Sequence, residues 1–419
     1  MEKRSYLDLR FKGDLDPESS LLFNTISNNL EIDFDELITN LTEPNLNNID
    51  WWVGDIASRN TFATPFFHYY CSIHFIKQLL DNKNFNFNRV LVDSLSLKRI
   101  INNILTDNDL KKCEVVLFNN FKFRLKRLFN KYLGDIYIFL YNIIKVFIGK
   151  LFYKSNFFDD NQPVTLIDTF IIKGYTDSTR WYGSLWINIP KKIKESTYFI
   201  PSINKTTLFN LFGIYSRLKK NNENYILKES HLMITDLLFA LRYKRRLDKI
   251  KINKNFLFNN DITYLIKESL YNYKDIYSIH ESLLTYRFIY RLKKRNSNIR
   301  LAIDWFEGQN IDKAWNLALH TFYPKTKTIA YRPFESFPLY LCSFPTYTEK
   351  RAKVIPKVFA LQGAGSINNI KRYLPDLNTI LIPSYKSEFV WTLHEEKKIS
   401  DNRNILVTLP ISFDISLYI

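Results

Sequence analysis

Short, largely apolar runs recur along the chain, and helical patterns fill most of the intervals between them. They are Val90-Leu91-Val92, Val115-Val116-Leu117-Phe118, Val164-Thr165-Leu166-Ile167, Leu301-Ala302-Ile303, Thr328-Ile329-Ala330, Val358-Phe359-Ala360-Leu361 and Ile380-Leu381-Ile382. A strand with one wet face alternates apolar and polar residues. A run without alternation is buried on both faces, as in a parallel sheet sandwiched by helices. Ile49-Asp50-Trp51-Trp52-Val53 reads as the first strand, followed by a loop over 54–64. A helix then opens at Thr64-Pro65, with Thr as N-cap and Pro in the first turn. Phe66, Tyr69, Tyr70, Ile73, Ile76 and Leu80 keep its period.

The alternation of strand and helix predicts an α/β fold with a mostly parallel sheet. In such sheets ligands bind beyond the carboxyl ends of the strands. Residues 1–47 are polar and Asn-rich and read as an extension packed on the edge of the domain. Residues 48–403 form the main domain, with basic helical insertions at 121–158 and 205–298. Residues 404–419 start with a further buried run, Asn404 to Leu409, and read as the first strand and helix start of a second domain that is only begun.

A length of 419 residues and an apolar fraction of 46% allow a sizeable core. The net charge of +17 favours anionic partners. Part of it reflects a general abundance of Lys and Asn of the kind that AT-rich codon usage produces. Cys71, Cys113 and Cys342 lie too far apart for a zinc motif, and no metal site is expected. The N-terminal stretch has no apolar signal core, and no stretch reaches the length of a membrane span, which predicts a cytoplasmic location.

Four strand-end loops carry candidate chemistry. Glu307-Gly308-Gln309 lies between the run ending near Trp305 and a helix patterned by Ile311, Ala314, Trp315, Ala318, Leu319 and Phe322, which Asn310 is placed to cap. There Glu307 can take a proton from a sugar hydroxyl and Gln309 can hydrogen-bond it. The alternative is that Glu307 only complements the helix dipole. Ile172 to Gly183 mixes aromatic, polar and glycine residues, a composition suited to holding a sugar ring against flat apolar faces. In it Asp177 is a candidate base and Arg180 a bidentate ligand for carboxylate or phosphate, or the two form a surface pair in a turn. Tyr331 and Arg332 follow a strand and either bind substrate or shape an X-Pro turn. Gly363 and Gly365 precede a helix and can expose N–H groups to an anion, without the third glycine of a dinucleotide fingerprint.

The six histidines fall into no ligand or catalytic spacing, and His68 and His74 read as packed residues. From Phe121 to Lys154 there are eight Lys or Arg against one acid, Asp135, around an apolar stretch. Such a segment fits an anionic membrane surface with lysine stems reaching outward. A plain helical pair with a solvated basic face is the alternative. Nucleic acid is not favoured, because no reading motif accompanies the charge.

Taken in order, "DWWVGDIASRN", "LIDTF…GYTDSTRWYG", "IDWFEGQNIDKAWNLALH", "AYRPFESFP", "VIPKVFALQGAG" and "NILVTLPIS" resemble the surface carbohydrate biosynthesis proteins. These are GT-B-type glycosyltransferases of bacterial O-antigen and capsule clusters, similar to transferases of sialic, pseudaminic and Kdo-type sugars. The resemblance spans roughly residues 48–419. It implies a GT-B-like, Rossmann-type N-terminal domain on the acceptor side, with the donor-binding domain cut short after its start. It also implies a nucleotide-sugar donor, CMP-linked in the acidic-sugar relatives, with no further cofactor. A glycan or lipid-linked glycan acceptor and a peripheral position at the inner membrane face follow from it, and a second chain is one candidate source of the donor domain. Asp177, Arg180, Glu307, Gln309 and Tyr331 are the matching polar positions. Arg332-Pro333-Phe334 departs from the Gln-His-like pair typical of the family. Two other classes remain open: a non-catalytic membrane-associated scaffold for polysaccharide assembly, and a polyanion-binding accessory protein.

Overall fold

The computed structural model describes residues 5–110, 112–118, 133–152, 162–171, 176–203, 206–271 and 276–388. Strands β1 (Tyr6–Asp8), β2 (Arg89–Val92) and β3 (Glu114–Leu117) make one sheet, in the order β1-β2-β3. Next in the chain come β4 (Pro163–Ile171) and β5 (Thr197–Ile203), a small antiparallel hairpin of β6 (Phe256–Leu257) and β7 (Asn260–Asp261), and β8 (Asn298–Trp305), β9 (Lys327–Arg332), β10 (Val358–Gln362) and β11 (Thr379–Ile382). Six of these form the main sheet, in the order β11-β10-β9-β8-β4-β5. Every ladder in both larger sheets is parallel. The protein is therefore an α/β protein with parallel sheets, as the alternation predicts, and is consistent with a Rossmann-like fold. The runs at 90–92 and 115–118, however, belong to a sheet of their own.

Three further differences have physical causes. Residues 49–53 are not a strand. Ile49–Trp52 is a short helix whose N-cap Asn48 accepts from the Asp50 N–H. Three of its four residues, Asp50, Trp51 and Trp52, are buried, so it lacks the one-sided period that marks a helix. Trp51 Nε1 donates to Thr42 Oγ1 at 3.0 Å and Trp52 Nε1 to the Leu46 carbonyl at 2.8 Å, which satisfies both indoles in the interior. The first 47 residues are not a mere edge extension. They supply β1 and the helices Pro17–Asn29 and Glu31–Thr42, and Ile26, Phe34, Ile38 and Leu41 enter the main core. Finally, β5 carries Pro201 opposite Thr169 and lies at the sheet edge. An edge is where a strand tolerates proline.

One contiguous core joins the two sheets. Leu7, Val90 and Val115 share it with Leu166, Ala302, Ala330 and Phe359. A buried quartet of charges ties the N-terminal helices to the main sheet: Arg59 meets Asp35 at 3.1 Å and Glu349 at 3.2 Å, and Lys313 meets Glu349 at 2.7 Å.

The two expected insertions are structural layers. The helix Ile276–Lys294 packs along the helix Asn310–Phe322 that follows β8, and the helix Asp135–Phe152 packs on Lys228–His231 and Ile234–Leu241. Lys145, expected to reach outward, is instead buried and paired with Glu229 at 2.8 Å and Glu281 at 3.2 Å. The remainder of the basic insertion, 121–132 and 153–158, lies outside the described residues, as does all of 404–419, including the strand expected at 404–409. Among the described residues no helix is long and apolar enough to cross a membrane.

Candidate functional site

Strand order locates the site. From β4 the chain steps to β5 on one side, then returns to β8 on the other and continues outward through β9, β10 and β11. The loops leaving β4 and β8 therefore diverge, and the crevice between them is the topological switch point where doubly wound sheets bind ligands. Glu307, Gln309, Asp177 and Arg180 all belong to those two loops.

Past β8, Phe306 turns inward against Phe359, with ring centroids 5.0 Å apart. Glu307 stays half-buried. Its carboxylate accepts from Trp305 Nε1 at 3.0 Å and from Gln309 Nε2 at 2.6 Å. Asp312, in the first turn of the helix Asn310–Phe322, accepts from the backbone N–H groups of Glu307 (2.9 Å) and Gln309 (3.0 Å). Gln309 is thus the N-cap residue. Asn310, expected in that role, instead donates to the Val53 carbonyl at 2.9 Å. Gly308 adopts φ +76°, and a Cβ there would overlap the Cys342 carbonyl. Gly308→Ala is therefore expected to cost roughly 1–3 kcal/mol and to displace the Glu307 side chain. Urea unfolding measures the first effect. An unchanged midpoint would show that the loop tolerates the bulk.

The other expected residues divide into two groups. Asp177 accepts from the Thr179 backbone N–H at 3.1 Å and from its hydroxyl, so it folds onto its own turn. Arg180 is exposed and lies over the Trp181 ring at 5.2 Å. Tyr331 is buried and stacked on Tyr182, centroids 5.0 Å apart. Arg332 is buried too. It donates to the Ser343 carbonyl and, at 2.7 Å, to Ser336 Oγ, and burial pushes its pKa down to about 10. Arg332 thus braces the loop after β9 from within. Gly363 and Gly365 are exposed beyond β10, and Gly363 has φ +79°. The hydroxyl of Ser366 beside them donates to Glu335, so an acid already stands where the sequence suggested an anion.

Besides Trp181, which belongs to the aromatic stretch singled out after β4, the switch point holds residues that the sequence reading missed: Trp305, Phe334 and Lys386. The Trp181 and Trp305 rings pack edge to face at 4.9 Å, and Phe334 stacks on Trp305 at 5.7 Å. Lys386 follows β11, yet its ammonium lies 5.4 Å from the Trp305 ring and 5.7 Å from the Trp181 ring. Since β11 is at the far edge of the sheet, the segment Tyr385–Glu388 must cross the strand ends to reach this point. Glu388 accepts from Ser184 Oγ at 2.5 Å, and Gly183, at φ +49°, lies against the Tyr385 carbonyl. The switch point thus brings together two packed indoles, the carboxylates of Glu307 and Glu388, and the cations Lys386 and Arg180.

Beneath it lie three buried acids. Ile167 pairs with Ile303, so Asp168 on β4 and Asp304 on β8 stand next to each other at one level of the sheet. Asp304 accepts from Asn316 Nδ2 at 2.7 Å. Burial, then Asp312 and Asp168, hold the Asp304 carboxyl well above its usual range, and burial and Glu307 do the same for Asp312. Burial raises Asp168 to about 7, against the pull of Lys228. A signal for this pair was present in the sequence: Leu166-Ile167-Asp168-Thr169-Phe170 and Ala302-Ile303-Asp304-Trp305-Phe306 each put an acid inside an apolar strand. Among the described residues no group of His, Cys, Asp and Glu side chains is arranged to hold a metal ion.

The Asp168 shift sets a pH dependence. Its folded pKa of about 7 lies above the ordinary value of 3.8, so the folded state binds the extra proton between the two. The resulting stabilisation is full below pH 3.8 and is lost as pH rises through 7. Asp168→Asn removes it, so the variant should gain stability relative to wild type between pH 5 and pH 8. Urea unfolding at both pH values tests this, and a constant difference between the two proteins would refute the assigned titration.

Comparison of the chain with family models, curated proteins and solved structures gives no match. The class of the protein therefore rests on its own topology: a parallel α/β protein whose strand order reverses between β4 and β8, with a cluster of polar and aromatic side chains at that switch point.

Proposed function

We propose that the protein is a glycosyltransferase of the GT-B type, or its acceptor-side half, acting on a nucleotide-activated sugar in surface polysaccharide assembly. The observation that carries this reading is Glu307 at the switch point, fixed between Trp305 and Gln309 beside the Trp181 indole. Flat apolar rings suit the faces of a sugar, and a fixed carboxylate suits its hydroxyls. In the proposed reaction the acceptor oxygen attacks the anomeric carbon and its proton passes to Glu307. The bond from the anomeric carbon to the nucleotide phosphate breaks, and the nucleotide leaves with the electron pair. Lys386 and Arg180 offer positive charge to the leaving phosphate or to the carboxylate of an acidic sugar.

The test is to mix the full chain with UDP-, GDP- and CMP-linked sugars. Binding is read by saturation-transfer NMR and nucleotide release by phosphorus NMR after adding glycan acceptors. One donor class should bind, with contacts that weaken in Lys386→Ala. Failure of every donor class and of every glycan acceptor to bind would remove the proposal.

A further inference from the structure

The helix Asp135–Phe152 has two unlike faces. Inward, Ile138, Asn142, Lys145, Val146, Ile148 and Gly149 are buried against the fold. Outward, Tyr137, Leu140, Ile144, Phe147 and Leu151 are all exposed, and their spacing of three and four residues forms one continuous stripe. Phe147 exposes 63% of its surface. The neighbouring helix Leu208–Lys220 packs against this one and adds Phe212 and Phe209, the latter 91% exposed. Isolated exposed apolar residues are ordinary, but a two-helix patch of this kind marks an interaction surface.

We propose that this face docks in plane on an anionic lipid surface. Charge selects the occupant. Among the described residues of the two helices, the exposed charged side chains, Lys150, Arg217, Lys219 and Lys220, are all basic. The helix Leu208–Lys220 has no acid, and the one acid of the longer helix, Asp135, is engaged by Lys244 at 2.6 Å. An apolar stripe with a basic rim is the pattern of a helix lying at the headgroup level. A second copy would bring the same basic rim face to face with itself across a two-fold axis, which like-charge repulsion opposes. A spanning orientation is excluded for this helix by its length and charge, with Asp135, Lys145 and Lys150 along 18 residues.

The test is co-sedimentation of the full chain with vesicles of phosphatidylcholine alone and of phosphatidylcholine mixed with phosphatidylglycerol. Wild type should pellet with the mixed vesicles and much less with the neutral ones. The double variant Leu140→Glu/Phe147→Glu replaces two exposed side chains and should fold normally by circular dichroism, yet bind at least about tenfold more weakly. Phe209→Glu, on the other helix, should weaken binding independently. Lys150→Glu/Arg217→Glu should reduce binding to mixed vesicles and leave any residual neutral binding intact. Wild type remaining in the supernatant with mixed vesicles would overturn the proposal, as would undiminished pelleting of the double variant. A lipid-free dimer that the double variant splits would assign the face to a second copy instead.

Discussion

Glu281→Gln should destabilise the protein by about 3–5 kcal/mol, the range for breaking a buried ion pair by removing one partner. Glu281 receives Lys228 Nζ at 2.5 Å on one oxygen and Lys145 Nζ at 3.2 Å on the other, while Lys145 also meets Glu229 at 2.8 Å. All four side chains are less than a tenth exposed. Burial alone would raise the Glu281 carboxyl, but the two lysines outweigh it and hold it at about 2. With Gln in its place, two buried ammonium groups face a single carboxylate. Lys228→Met in the same chain removes the ammonium that has lost its carboxylate and keeps the Lys145–Glu229 pair, so the double variant should be more stable than Glu281→Gln alone. Because the folded pKa lies below the ordinary 4.5, this stabilisation is present above pH 4.5 and is lost as pH falls toward 2. Urea unfolding of wild type, single and double variants measures all of this. A single variant within about 0.5 kcal/mol of wild type, the scatter of ordinary surface substitutions, would mean that the network carries no net stability.

That network also explains which parts of the fold could be read in advance. Strands β8 to β11 are continuous apolar runs between helical patterns, so their existence and the parallel class were visible from local pattern alone. The role of Lys145 was not. A lysine in an apolar helix has the same local appearance whether its stem reaches water or its ammonium meets Glu281, which is 136 residues away. Trp51 and Trp52 misled for a related reason: a helix of four residues is too short to display a period, and two consecutive aromatic residues look like a strand. Glu307 and Gln309 were legible as a strand-end loop because strand, loop and helix are contiguous. Lys386 was not, because its place beside Trp181 and Trp305 depends on the order of strands in the sheet. The pairing of Asp168 with Asp304 was half legible: each acid is conspicuous in its strand, but only the register sets them at one level.

Glu307→Gln should lower turnover by about 10²–10⁴, the usual contribution of a positioned general base, while leaving donor binding near wild type. Trp305 Nε1 and Gln309 Nε2 each donate to one oxygen of the carboxylate and fix its position. An amide at this position offers one oxygen where the carboxylate offers two, so one donor loses its acceptor at a cost of about 1 kcal/mol. That structural cost is small beside the kinetic one, and thermal unfolding separates them. Glu307→Asp keeps the charge but withdraws it by one methylene, and it should recover part of the rate if proton removal is the role. The competing carboxylate is Asp177, whose contacts with Thr179 mark it as a residue that shapes its own turn. Asp177→Asn should therefore change turnover far less than Glu307→Gln. The reverse outcome would move the base to Asp177. If both variants turn over as fast as wild type, the carboxylate at the switch point only orders the start of the helix behind it.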